Sequence, residues 1–216
     1  MIVTRRKVIL LSVLLLLMTS GAIFLRAQEK APEIGSPAPD FTLNCLEGKP
    51  HSLSDYKGKI IVLEWTNPNC PYVVRVYKTD KIIPELQRKY KEKGVIWITI
   101  NSTHPQHQDY VPPEKLKEIY TEWQAAYTHY LMDPEGKVGR LYDAKTTPHI
   151  FIINSEGKLV YNGALDDDPR GQKSKEQKIN YVDLALQALL NGQEIQLIYK
   201  EFLLRVTCRL CLMARK

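Results

Sequence analysis

Residues 60–65, IIVLEW, set five apolar side chains around a single charge. A run this short and this continuous suits a strand covered on both faces, the inner strand of a sheet with helices on each side. The residues that follow narrow the choice further. After Thr66, Asn67, Pro68 and Asn69 come Cys70 and Pro71, and then Val73, Val74, Val76 and Tyr77 as the apolar positions of a helix. Proline is tolerated in the first turn of a helix, where its missing N–H costs little. Strand, short loop, cysteine and helix in that order hold Cys70 at a helix N-terminus. Unpaired N–H groups and the positive end of the dipole there favour thiolate over thiol. Thiolate is the nucleophile of disulfide exchange and of peroxide reduction, so Cys70 is the candidate catalytic residue. The competing reading is a buried packing cysteine.

The rest of the chain supplies neighbours for that strand. Residues 41–44 and 51–53 flank Glu47, Gly48 and Lys49 and read as a hairpin. Thr79 and Asp80 read as a restart within the helical stretch, with Ile83, Leu86 and Tyr90 continuing it and Pro84 near the first turn of the second piece. Residues 95–100 form a second buried strand. Residues 112–127 form an amphipathic helix with Leu116, Ile119, Tyr120 and Trp123 on one face. Residues 130–132 are a short strand ended by 133–136 (DPEG). Residues 149–153 and 158–161 form a hairpin across 154–157, and Ile179, Val182, Leu186 and Leu189 mark a last helix stopped by Asn191 and Gly192. Alternation followed by an antiparallel pair predicts an α/β chain, a mixed sheet with helices on both faces. Thr146, Thr147 and Pro148 precede one of its strands. A proline there can adopt the cis form and turn the Thr147 backbone toward a facing thiol.

The first thirty residues stand outside this pattern. Arg5, Arg6 and Lys7 precede an apolar run over residues 8–25, close to the length that spans a bilayer. Residues 1–27 read as a signal peptide or as an uncleaved inner-membrane anchor. Either exports the domain to a periplasmic or other extracytoplasmic location, because the positive end stays inside. Residues 28–39 are a proline-containing linker, 40–192 the domain, and 193–216 a basic tail. The 216 residues leave room for one good core and not comfortably two. The formal charge of +6 is concentrated at the two ends. The near-balanced middle argues against a nucleic-acid partner.

Residues 35–43 (GSPAPDFTL), 62–72 (VLEWTNPNCPY), 133–136 (DPEG) and 145–149 (KTTPH) carry a resemblance. The chain resembles the redoxin branch of the thioredoxin superfamily, the branch grouped with alkyl hydroperoxide reductases and thiol-specific antioxidant proteins. The resemblance implies a thioredoxin-like fold with an added N-terminal hairpin. It implies thiol-dependent oxidoreduction through Cys70, supported by Trp65, Asn67, Pro71, Thr147 and Pro148, with no cofactor and no metal. The partners implied are a thiol reductant, a disulfide-bearing protein or a peroxide.

The departures from that pattern shape the expected chemistry. Val73 stands where a thioredoxin has its second cysteine. Asn67 stands where a peroxiredoxin has Thr or Ser, Leu63 where it has Pro, and Pro148 roughly where its Arg would lie. A leaving oxygen needs such donors, whereas a leaving sulfur carries its own charge easily. The expectation is weak peroxide reduction and readier mixed disulfides. The alternative is a thioredoxin-fold binding module that turns nothing over.

Other candidates are weaker. Cys45, at the end of a hairpin strand, reads as packing. Cys208 and Cys211 form a C-x-x-C in the tail and are candidate resolving thiols; zinc would need a second pair. The cationic, apolar composition after Phe202 leaves an altered reading frame open. His104 and His107 lie in a polar loop. Asp166, Asp167 and Asp168 read as an exposed turn before Pro169, and His149, beside Pro148, as lining the cleft.

Overall fold

A computed structural model describes residues 31–174, 176–193 and 195. Seven strands form one sheet in the order β2-β1-β5-β4-β3-β6-β7. They are β1 Thr42–Cys45, β2 Pro50–Ser52, β3 Ile61–Trp65, β4 Ile96–Asn101, β5 His129–Met132, β6 His149–Ile153 and β7 Leu159–Gly163. β3, β4 and β5 run parallel, while β6, β7 and the β1–β2 hairpin are antiparallel additions at the two sides. The sheet is mixed: helical crossovers join the parallel strands β3, β4 and β5, and tight turns close the β1–β2 and β6–β7 hairpins, which pair antiparallel with β5 and β3. The fold is the one implied by the sequence, with the extra hairpin at the N-terminal edge.

Among the described residues five helices cover the sheet: α1 Pro71–Val74, α2 Ile82–Lys91, α3 Pro113–Glu122, α4 Lys137–Leu141 and α5 Tyr181–Leu190. A π-helical turn, Arg75–Thr79, continues α1, and Lys81 then takes a left-handed φ of 56° before α2 begins. The expected restart near Thr79 and Asp80 is thus a backbone event, and Pro84 falls in the first turn of α2 as anticipated. Two short elements escaped the sequence reading. One is the 3₁₀ turn Leu53–Tyr56, where the Asp55 carboxylate accepts the Ser52 N–H. The other is α4, which follows the 133–136 turn directly.

β3 explains the layering. Side chains alternate across a strand. Val62 packs with Val73, Tyr77, Tyr120, Ile150 and Leu186, beneath α1, α2, α3 and α5. Leu63 and Trp65 pack with Ile98, Tyr142 and Phe151, beneath α4 and the 3₁₀ turn. Residues 35–38, expected as linker, lie against the β6–β7 hairpin: Gly35 N–H donates to the Leu159 carbonyl at 2.7 Å and Ala38 N–H to the Gly157 carbonyl at 2.9 Å. Among the described residues no helix is long and apolar enough to cross a membrane. The apolar run 8–25 lies outside the described residues.

Candidate active site

Cys70 is the N-cap of α1, in extended conformation, and its carbonyl accepts the Val74 N–H at 3.0 Å. Pro71 occupies the first helical position and is exposed. The side chain of Cys70 turns inward and is completely buried. Its Sγ–H donates to the carbonyl of Thr147 at 3.2 Å, and the Thr147–Pro148 peptide bond is cis. Two segments 77 residues apart therefore meet at the sulfur. The Thr147 hydroxyl is buried there with no hydrogen-bond partner.

The remaining expected residues sort differently. Asn67 is buried beside the Cys70 loop, but its Nδ2 donates to Thr103 Oγ1 at 2.7 Å and its Oδ1 accepts the Asn69 N–H at 2.8 Å. Its role is to tie the loop before Cys70 to the end of β4. Trp65 does not line the cleft. Alternation along β3 turns it to the opposite face, where its Nε1–H donates to Ser102 Oγ at 3.0 Å and Ser102 donates to Asp133 Oδ2 at 2.6 Å. Val73, in place of a second cysteine, is completely buried in the helix-covered core.

His149 is a correction of the same kind. It begins β6 on the Trp65 side, stacked on Phe151 with ring centroids 4.4 Å apart. Its Nδ1 accepts the Lys145 N–H at 3.1 Å and its Nε2 meets Asn162 Oδ1 at 2.8 Å. Burial lowers its pKa to about 4, so the ring is neutral and structural. Asp166 and Asp168 are buried rather than exposed, held by backbone N–H groups and by Arg75 and Lys178. Cys45 is a buried thiol in the core beneath α4, as expected for packing. His104 and His107 accept backbone N–H groups within their own loop. Among the described residues no three metal-ligating side chains converge. Cys208 and Cys211 lie outside the described residues.

One buried group was missed. Glu64 is fully buried on the Val62 face of β3, the same side of the sheet as Cys70. Its Oε2 accepts Trp97 Nε1–H at 2.7 Å and the Tyr77 hydroxyl at 2.9 Å, while Oε1 has no hydrogen-bond partner. Burial pushes its pKa up to about 7, against the opposing effect of Trp97, Tyr77 and the facing Thr99 hydroxyl of β4. The signal was present: an acid inside a strand read as covered on both faces has to be buried.

The model of the AhpC/TSA family matches residues 34–162, which include β3, Cys70 and the cis proline. The chain belongs to the AhpC/TSA family. Within it, this chain is similar to thiol-disulfide oxidoreductase ResA of Bacillus cereus, 28% identical over 187 residues that make up 82% of this chain and 96% of the relative. ResA of Bacillus anthracis is 29% identical over 188 residues, with the same coverage of 82% and 96%. An uncharacterized conserved protein from Geobacillus kaustophilus superposes with a TM-score of 0.70 at 29% identity, over 78% of this chain and 87% of its own. A hypothetical protein from Sinorhizobium meliloti, at 23% identity, shares the fold with a TM-score of 0.69 over 79% and 91%.

Proposed function

We propose that this AhpC/TSA-family chain is a thiol-dependent oxidoreductase that works through Cys70 by disulfide exchange. The observation that carries the reading is the Cys70 sulfur, 3.2 Å from the Thr147 carbonyl beside the cis proline. The sulfur attacks one sulfur of a disulfide, the S–S bond breaks, and the displaced thiol leaves as thiolate. Loss of the Cys70 proton frees the Thr147 carbonyl, which is then an acceptor for a backbone N–H of a disulfide-bearing protein.

With Val73 at the neighbouring position, the mixed disulfide persists until an external thiol attacks it. Peroxide is the poorer substrate, since Asn67 spends its donors on Thr103 and on the Asp109 carbonyl. The ResA relatives, named as thiol-disulfide oxidoreductases, support the same assignment. The basic residues before the apolar run 8–25 support a domain displayed on the far side of a membrane. Protease added to intact cells with a permeabilised outer layer should digest it, and protection equal to that of a cytoplasmic marker would rule that location out.

Complete burial of Cys70 favours the second reading, a binding module with no turnover. The two part on one assay. Turnover with a small disulfide or a peroxide that vanishes in Cys70→Ser supports the oxidoreductase, and equal behaviour of the two proteins supports the module.

A further inference from the structure

Arg75 opens the π turn five residues after Cys70 and plays no part in the exchange step described above. Its Nη1 donates to Asp80 Oδ2 at 2.6 Å, at the far end of the same turn, and its Nη2 reaches Asp166 Oδ2 at 3.4 Å. Lys178 Nζ lies 3.3 Å from Asp80 Oδ2 and 3.3 Å from Asp168 Oδ2. The segment leaving β7 is in turn wound around its own carboxylates. Asp166 Oδ1 accepts the Asp168 N–H at 3.0 Å, and Asp168 accepts the N–H groups of Gln172 at 2.8 Å and Lys173 at 2.9 Å. Gly171 then brings the backbone against Arg75 itself. Its φ is +67°, and a methyl group there would sit 2.8 Å from Arg75 Cδ.

The course of this segment gives the contact its meaning. β7 ends at Gly163, paired with Ile150, two residues past the cis proline. Leu165 shares a core with Cys70 and Ile150. Residues 164–171 thus run from beside Pro148 to the turn behind Cys70, along one flank of the site. Exposed ion pairs hold little, but Asp166 is almost wholly buried; the Arg75 contact to it, long at 3.4 Å, is reinforced by Lys178, which ties Asp168 to Asp80 at 3.3 Å on each side. Cys70 is covered, so a disulfide reaches it only when part of the surrounding wall gives.

We propose that Arg75 is a specificity-determining residue, clamping residues 164–171 against the segment headed by Cys70 and so limiting the bulk of the disulfide that reaches the sulfur. It acts through the loop and touches no reacting atom. The inference rests on the reading of Cys70 as an exchange thiol.

The test uses the full-length chain in mild detergent and two reagents that form mixed disulfides. These are methyl methanethiosulfonate, which is small and releases methanesulfinate, and glutathione disulfide, which is bulky and releases glutathione. Rates are read from the mass of the Cys70-containing peptide. Arg75→Ala leaves Asp166 as an unpaired buried charge and risks unfolding. Asp166→Asn keeps the shape without the charge, and Gly171→Ala pushes the loop off Arg75. Each should raise the ratio of glutathione-disulfide rate to thiosulfonate rate on the order of tenfold, equivalent to about 1.4 kcal/mol. Trypsin cleavage at Arg170 should quicken in step. Glu118→Gln, which breaks the exposed pair with Lys115, should leave the ratio unchanged. Faster cleavage at Arg170 with an unaltered ratio would overturn the clamp alone. A Cys70 that reacts with neither reagent in any of these proteins would overturn the exchange reading along with it.

Discussion

The two faces of the sheet are built from the same strands and differ in how completely their polar groups are satisfied. Beneath α4, the buried polar atoms close on one another. Trp65 donates to Ser102, Ser102 to Asp133, and Asp133 also accepts the N–H groups of Val138 and Gly139. On the Cys70 side the closure is incomplete. Thr147 Oγ1 and Arg75 Nε are buried without a hydrogen-bond partner among the described residues, and Glu64 and Thr99, at paired positions of β3 and β4, interact too loosely to satisfy Glu64 Oε1 and Thr99 Oγ1. Unmet buried polar groups cost free energy and are rare in native folds, and they gather where function opposes stability. One face closes its polar groups, and the face that carries the proposed exchange thiol does not.

The largest expected effect falls on the closed face. Trp65→Ala removes a fully buried indole from among Tyr142 and Phe151. Urea denaturation should show a loss of about 3–5 kcal/mol, while the Cys70 rate in the molecules that remain folded stays near wild type. A large change in that rate would mean the faces are not independent.

The next effect separates the faces by pH. Glu64 has a reference pKa of 4.5 and a folded value of about 7. The folded chain therefore holds a proton that the unfolded chain loses between these values. The stability this proton contributes is fully present below the lower value and is lost as pH rises through the upper one. The loss is on the order of 3 kcal/mol. Glu64→Gln should flatten that slope in urea titrations from pH 5 to 8 and leave the variant the more stable protein at pH 8. An unchanged slope would place the titrating group elsewhere. Smaller again, Ser102→Ala should cost about 1–3 kcal/mol by stranding Trp65 Nε1 and removing one of the donors to Asp133 Oδ2, which keeps the Gly139 N–H, with no change at Cys70.

The contrast also marks what the sequence discloses. Strands β3, β4 and β6 were legible because unbroken apolar runs of that length have few other uses. The meeting of Cys70 with Thr147 was legible only through the resemblance to the thioredoxin superfamily, since a helix N-terminus and a Thr-Thr-Pro are local patterns and the two lie 77 residues apart. Which face a side chain occupies was not. Strands buried on both faces show no polar alternation, so nothing in residues 60–65 or 149–153 assigns Trp65 and His149 to the side away from Cys70. α4 was hidden by its length: its five residues fit only about a turn and a half, too few for a periodic signal. Asp166 looked like part of an exposed acidic turn because its partner, Arg75, stands 91 residues earlier.

On the proposed reading, Cys70 exchanges disulfides and keeps the product until an outside thiol releases it. The most direct measurement follows the intact mass and Cys70 peptide of the full-length chain after matched doses of glutathione disulfide and hydrogen peroxide. The expected result is a glutathione adduct on Cys70 that forms faster than any oxidised sulfur, persists alone, discharges with added thiol and is absent at position 70 in Cys70→Ser. Faster sulfenic acid from peroxide, or rapid collapse of the adduct into an internal disulfide with Cys208 or Cys211, would contradict it.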